Sequence, residues 1–219
     1  MKTLFFHLFA SLIIGFMMVG CSQAQSGAIN ISKGDHSNPS PNEAVAYFGE
    51  GCFWHAEIVF QSLIGVRDAV SGYAGGTDAQ PNYAKVCTGE TGHAETVQVF
   101  YDPSKITYST LVAAFFASQD PTELNRQGPD EGTQYRSVVF YRTDAEKQII
   151  LAEIKRLTDA HAYPNKIVTQ VAPFTNFYPA EAYHQEYILR HPENGYVQQV
   201  SIPDFVHFKE VFKGNFKKD

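Results

Sequence analysis

Methionine is missing from this 219-residue chain after position 18: its three occurrences are Met1, Met17 and Met18. That absence fits chance as well as an oxidising setting, because the thioether is readily oxidised. Cysteine is almost as scarce, at Cys21, Cys52 and Cys87, and no C-x-x-C pair or H-E-x-x-H element occurs, so no catalytic metal is expected. The formal net charge is −6, with the basic residues scattered, which excludes a nucleic-acid-binding surface. Low-complexity sequence is confined to residues 22–42, and no internal repeat appears. What remains is ordinary globular composition, 44% hydrophobic and 18% charged, with length for one domain and its core.

The long apolar run, Leu4 to Val19, follows Lys2 and ends at Gly20-Cys21. It is shorter than a spanning helix of about 20 residues and reads as a signal peptide over residues 1–20. Met18-Val19-Gly20-Cys21 resembles a bacterial lipoprotein processing box, with an ordinary cleaved signal as the alternative. Lipidation of Cys21 would anchor the chain, each buried CH₂ contributing about 0.8 kcal/mol. Ser22 resembles an outer-membrane sorting signal, so the expected location is the outer membrane of a bacterial cell envelope, facing the periplasm. Residues 21–42 then form a lipidated cysteine and a tether of roughly 25 Å root-mean-square reach. The folded domain is expected over residues 43–219.

Ala44 to Phe48 reads as a strand, Gly49-Glu50-Gly51 as a turn, and Cys52 onward as a helix start. Further strands are expected at Val66 to Gly72, Glu95 to Tyr101, Ser137 to Tyr141 and Lys166 to Ala172. Thr107 can cap a helix through Ser118, and Thr143-Asp144-Ala145-Glu146 matches a capping box opening a long amphipathic helix. Pro179 to Arg190 reads as the last helix, and Asp120 to Tyr135 as a long irregular loop. Alternating strands and helices predict an α+β, two-layer α/β sandwich with a ferredoxin-like mixed sheet.

A cysteine at a helix N-terminus faces unpaired N–H groups and aligned peptide dipoles, and such thiols titrate at roughly 3.5–7.5. Cys52 is therefore either a partly ionised nucleophile or a buried structural cysteine. Glu95 shares a strand face with Val97, Val99 and Tyr101. It is either paired, with Arg136 as the natural partner, or a carboxyl whose pKa burial has raised.

Four groups, Cys52-Phe53-Trp54, Tyr83, Gly92-His93-Ala94-Glu95 and Asp130 to Ser137, together resemble the A-type methionine sulfoxide reductases from about Tyr47 to His191. Ser71 to Gly76 and Tyr183-His184-Gln185 extend the match. The resemblance implies attack of Cys52 on the sulfur of a methionine S-sulfoxide, leaving a Cys52 sulfenic acid and methionine, with Glu95 as proton donor. It implies Tyr83 and Tyr135 as donors to the sulfoxide oxygen, Phe53 and Trp54 as the slot for the methyl group, and Asp130 in substrate positioning. No cofactor is implied beyond an external thiol reductant such as a thioredoxin-like protein, and a monomer is assumed.

Many family members carry resolving cysteines in the tail after a Gly-Tyr pair, but Val197 follows Gly195-Tyr196 here and no cysteine follows Cys87. Of three readings for Cys87, a buried structural thiol is adopted over a resolving thiol and a disulfide half. The sulfenic acid is therefore expected to be reduced directly from outside. Competing readings are a zinc deaminase, suggested by His93-Ala94-Glu95 but lacking P-C-x-x-C, a cysteine hydrolase using His93 or His184, and a lipid-anchored binding module without turnover. His55 and His184 are otherwise expected to be surface or capping residues.

Overall fold

The computed structural model describes residues 38–218, so the expected signal peptide and Cys21 lie outside the described residues. Four strands build the centre: β1 (Ala44–Glu50), β2 (Val66–Ala74), β3 (Ala94–Tyr101) and β6 (Ser137–Tyr141). They lie in the order β6-β1-β3-β2, all neighbours antiparallel, with α1 (Phe53–Gln61) crossing from β1 to β2 and α3 (Tyr108–Ala117) from β3 to β6. This is the expected ferredoxin-like arrangement. Two short strands extend it: β7 (Gln170–Pro173) runs parallel on β6, and β8 (Phe177–Pro179) antiparallel on β2.

β7 and β8 occupy opposite edges of a six-stranded sheet, yet Pro173 and Phe177 are joined by three residues. Five inter-strand spacings of about 4.8 Å make some 24 Å across a flat sheet. The link reaches only about 14 Å. The sheet must therefore curl until its edges come within that reach. Its concave face encloses Val45, Tyr47, Val70, Phe100, Val138 and Phe140, with Phe174 of the link stacked on Tyr47 at 3.8 Å. The other face carries the main core, in which Phe48, Phe60, Val97, Leu111 and Phe115 meet under α1 and α3.

Thr107 caps α3 by accepting from the Thr110 N–H at 3.1 Å. Thr143 caps α4 (Asp144–Asp159) by accepting from the Glu146 N–H at 3.2 Å, while the Glu146 carboxylate accepts from Arg142, one residue before the cap.

Three expectations fail. The segment from Pro179 to Arg190 is helical only in α5 (Tyr187–Arg190), because β8 extends to Pro179 and Gln185 holds both backbone groups of Ser71 at 3.0 and 2.9 Å. Nor is it the last helix: a wide π-type turn over Val197–Ser201 leads into α6 (Ile202–Val211), whose Phe205 and Phe208 enter the core. The strand expected from Lys166 begins at Gln170, since the Val168 N–H turns to the Pro121 carbonyl at 2.8 Å. The loop from Asp120 is also more regular than expected, folding as a hairpin of β4 (Arg126–Gln127) and β5 (Asp130–Glu131) and then a 3₁₀ turn over Thr133–Tyr135. No helix among the described residues is long and apolar enough to cross a membrane.

Candidate active site

Strand β1 leads directly to the nucleophile. Gly51 turns the chain at φ +93°, and a Cβ there would stand 2.6 Å from Gln127 Cβ, so only glycine lets Cys52 take the N-cap position of α1. Cys52 is partly exposed and unbonded to another cysteine. Burial, with the Glu95 and Asp130 carboxyls, pushes its thiol well up, against the Trp54 N–H and the Tyr196 hydroxyl, which favour the anion. The expected lowering of the thiol's pKa is thus not what the fold favours: burial and the two neighbouring carboxyls raise it instead.

Glu95 stands on the helix-side face of β3, 1% exposed, and accepts from the Phe53 N–H at 3.0 Å. The expected pairing with Arg136 does not occur. That guanidinium serves the Gly92 and Thr133 carbonyls and Gln170. Burial pushes the Glu95 carboxyl up to about 8, with the Phe53 N–H opposing and Asp130 adding, so the carboxyl is largely protonated at pH 7. One backbone amide therefore ties a neutral acid to the residue following the nucleophile.

Tyr83 opens the short helix α2 (Tyr83–Val86), its N–H donating to Glu181 at 2.9 Å, and Tyr135 closes the 3₁₀ turn. Burial, with Cys87, Glu95 and Cys52 facing Tyr83 and Glu95, Tyr83 and Asp130 facing Tyr135, raises both phenols, which stay neutral donors. Asp130, half-buried on β5, accepts from the Tyr196 hydroxyl, and its carboxyl is raised by burial. The indole of Trp54 stacks on Tyr187 at 3.7 Å, meets the edge of Tyr196 and donates Nε1–H to His184 Nδ1 at 3.1 Å. Phe53, 1% exposed, backs this wall, its ring 4.9 Å from that of His184.

All seven residues expected to act on substrate are thus drawn to one end of α1. Tyr196 belongs with them and was not assigned: its hydroxyl faces both Asp130 and the Cys52 sulfur. The signal for it in the sequence is the Gly195-Tyr196 pair, after which family members often carry a cysteine. Val197 after it is fully buried in the core.

Three side chains depart from expectation. Cys87, expected to be buried, is exposed at the C-cap of α2, its sulfur against the Tyr83 hydroxyl, because a four-residue helix leaves its end in solvent. His55 and His184 are buried at 8% and 1%, the first on the inward face of α1 and the second packed among aromatics. His93 is not placed as a base or metal ligand, since both ring nitrogens meet the backbone, at Gly76 N and Asp78 O. No cluster of three or more metal-ligating side chains occurs among the described residues.

A nucleophilic sulfur beside a neutral buried acid, two phenols and an aromatic wall suits transfer of an oxygen bound to an uncharged sulfur. The family model described as peptide methionine sulfoxide reductase matches residues 44–215. The chain belongs to that family. It is 46% identical over 170 residues to the MsrA of Picrophilus torridus, covering 78% of this chain and 96% of the relative. It is 47% identical over 172 residues to that of Pasteurella multocida, covering 77% and 98%. Among solved structures, reduced Mxr1 from Saccharomyces cerevisiae aligns with TM-score 0.68 at 34% identity, covering 75% of this chain and 94% of that one. Methionine sulfoxide reductase A of Corynebacterium diphtheriae aligns with TM-score 0.64 at 32% identity, covering 74% and 88%. The activity is thiol-dependent reduction of methionine sulfoxide, that of a peptide-methionine (S)-S-oxide reductase.

Proposed function

We propose that this reductase works through a single catalytic cysteine, with Glu95 as its acid. The observation that carries the assignment is the neutral carboxyl of Glu95, held by the Phe53 N–H beside Cys52. A sulfoxide oxygen leaves poorly unless protonated. Tyr83 and Tyr135 donate to that oxygen, and Phe53 and Trp54 receive the methyl group, while Asp130 fixes the Tyr196 hydroxyl over the reacting sulfur.

As Cys52 attacks the substrate sulfur, Glu95 gives its proton to the oxygen, and the thiol proton is released towards the carboxylate so formed. The S–O bond of the substrate breaks, and the oxygen leaves on Cys52 as a sulfenic acid with methionine as product. One thiol and one sulfoxide become one sulfenic acid and one thioether. Two thiols of an external thioredoxin-like protein then reduce the sulfenic acid, releasing water and forming their own disulfide. The chain acts as a monomer on oxidised peptides and proteins. The run from Leu4 to Cys21 supports export and lipid anchoring at the outer membrane.

The deciding experiment gives the full chain each epimer of a methionine sulfoxide peptide with excess dithiothreitol, alongside Cys52→Ser. Methionine from the S epimer alone, abolished by the substitution, is the expected result. Turnover surviving in Cys52→Ser would remove the nucleophile assignment.

A further inference from the structure

We propose that His184 is a positioning residue for substrate capture, fixing the indole of Trp54 in the wall that receives the methyl group; this rests on the functional assignment above. His184 is 1% exposed, yet its surroundings are aromatic: its ring lies 4.5 Å from that of Tyr83, 4.9 Å from Phe53 and 4.1 Å from Tyr183. A polar ring in such a place costs free energy unless it makes a specific hydrogen bond. The one bond the ring makes is through Nδ1, which accepts from the Trp54 indole N–H at 3.1 Å, while Nε2 is buried without a partner among the described residues.

That bond also fixes the tautomer. An indole N–H only donates, so Nδ1 must present its lone pair. Burial lowers the pKa of the imidazole against the Glu181 carboxylate, and the ring is held neutral, as the bond requires.

The stack of Trp54 on Tyr187, parallel within 5°, holds the indole's plane. Stacked rings tolerate offset, however, so this contact leaves the indole free to slide and turn within that plane. A hydrogen bond is directional and removes that freedom. The anchor is firm in turn: the His184 N–H donates to the Glu181 carbonyl at 2.9 Å, and the Glu181 carboxylate accepts from the Tyr83 N–H and the Tyr73 hydroxyl. One turn of chain, residues 181–184, thereby sets the indole wall and the Tyr83 phenol relative to each other. Ordering those groups before substrate arrives lowers the entropy lost on binding.

Trp54 is the single tryptophan of the chain, so intrinsic emission reports on it alone. Two polar variants separate position from polarity. In His184→Asn the amide oxygen falls where Nδ1 was and can accept from the indole; in His184→Gln the amide lies one bond further out and cannot.

The expected result for His184→Gln is a KM for the S-sulfoxide peptide raised about tenfold, a single-turnover rate at saturation within about threefold of wild type, and a shifted emission maximum. His184→Asn keeps all three near wild type. In a Trp54→Phe background the two variants should have equal KM, because the acting partner is gone. Equal KM and equal emission of Asn and Gln in the wild-type background would overturn the proposal, and so would a loss confined to the single-turnover rate. Failure of the parent chain to turn over the peptide would instead sink the site assignment. The emission comparison reads the Trp54–His184 bond without any turnover.

Discussion

Replacing Glu95 by Gln should make the protein more stable while stopping its chemistry. In the folded chain the carboxyl titrates at about 8, against an ordinary value of 4.5. Below about pH 4.5 it is neutral whether the chain is folded or not, and its protonation costs folding nothing. As pH rises towards 8 the unfolded chain releases this proton and the folded chain keeps it, so stability falls by about 1.4 kcal/mol per pH unit. At pH 7 the accumulated loss is roughly 3 kcal/mol, and above pH 8 it levels off at nearly 5 kcal/mol. Glutamine keeps an acceptor for the Phe53 N–H and has no proton to release. Urea unfolding of both proteins from pH 5 to pH 9 should show Glu95→Gln gaining on wild type, from below about 1 kcal/mol at pH 5 to roughly 3 kcal/mol at pH 7. Other buried carboxyls, such as Glu57 at about 8, are common to both proteins and cancel in the difference. Single-turnover reduction should meanwhile fall by about 10²- to 10⁴-fold, the usual contribution of a placed acid. A stability difference that stays flat between pH 5 and pH 8 would refute the neutral buried acid.

Tyr196→Phe removes the hydroxyl between Asp130 and Cys52 and should slow single turnover by about tenfold, the scale of one hydrogen bond to a charged group; an unchanged rate would exclude Tyr196 from the site. Cys87→Ser should leave dithiothreitol-driven turnover intact, and intact-mass analysis after one turnover should show Cys52 oxidised without a Cys52–Cys87 disulfide. Gly51→Ala forces a side chain onto a φ of +93° against Gln127 and should cost about 1–3 kcal/mol in urea unfolding, with a rate loss from a displaced Cys52. Labelled fatty acid should enter the expressed chain and be lost in Cys21→Ala; equal labelling of both would remove the anchor assignment.

The central sheet was legible because its signals are local: the alternation along β3, the caps at Thr107 and Thr143, and the glycine turn before Cys52 are each complete within a few residues. The segment from Pro179 to Arg190 misled because its structure is decided elsewhere in the chain, where Ser71 offers backbone groups that Gln185 satisfies. Helix α6 escaped notice because what holds it is the packing of Phe205 and Phe208 against distant strands and helices. In the site, residue identities were readable but their ionisation was not. The helix start at Cys52 argued for a lowered thiol pKa, and only the fold reveals that burial and two carboxyls prevail. Tyr196 was similarly hidden, as it meets Asp130 from 66 positions further along the chain.

The curl of the sheet has a consequence for how the chain is made. Synthesis from the N-terminus completes β6-β1-β3-β2 by Tyr141, leaving both outer strands with unpaired backbone groups. The two segments that cover them, β7 and β8, emerge together some thirty residues later, after α4. Until then the nascent domain offers two open edges, each able to pair with a neighbouring chain. A ribosome stalled within α4 would hold the protein in its most aggregation-prone form, and ten residues, 170–179, end that exposure on both sides at once.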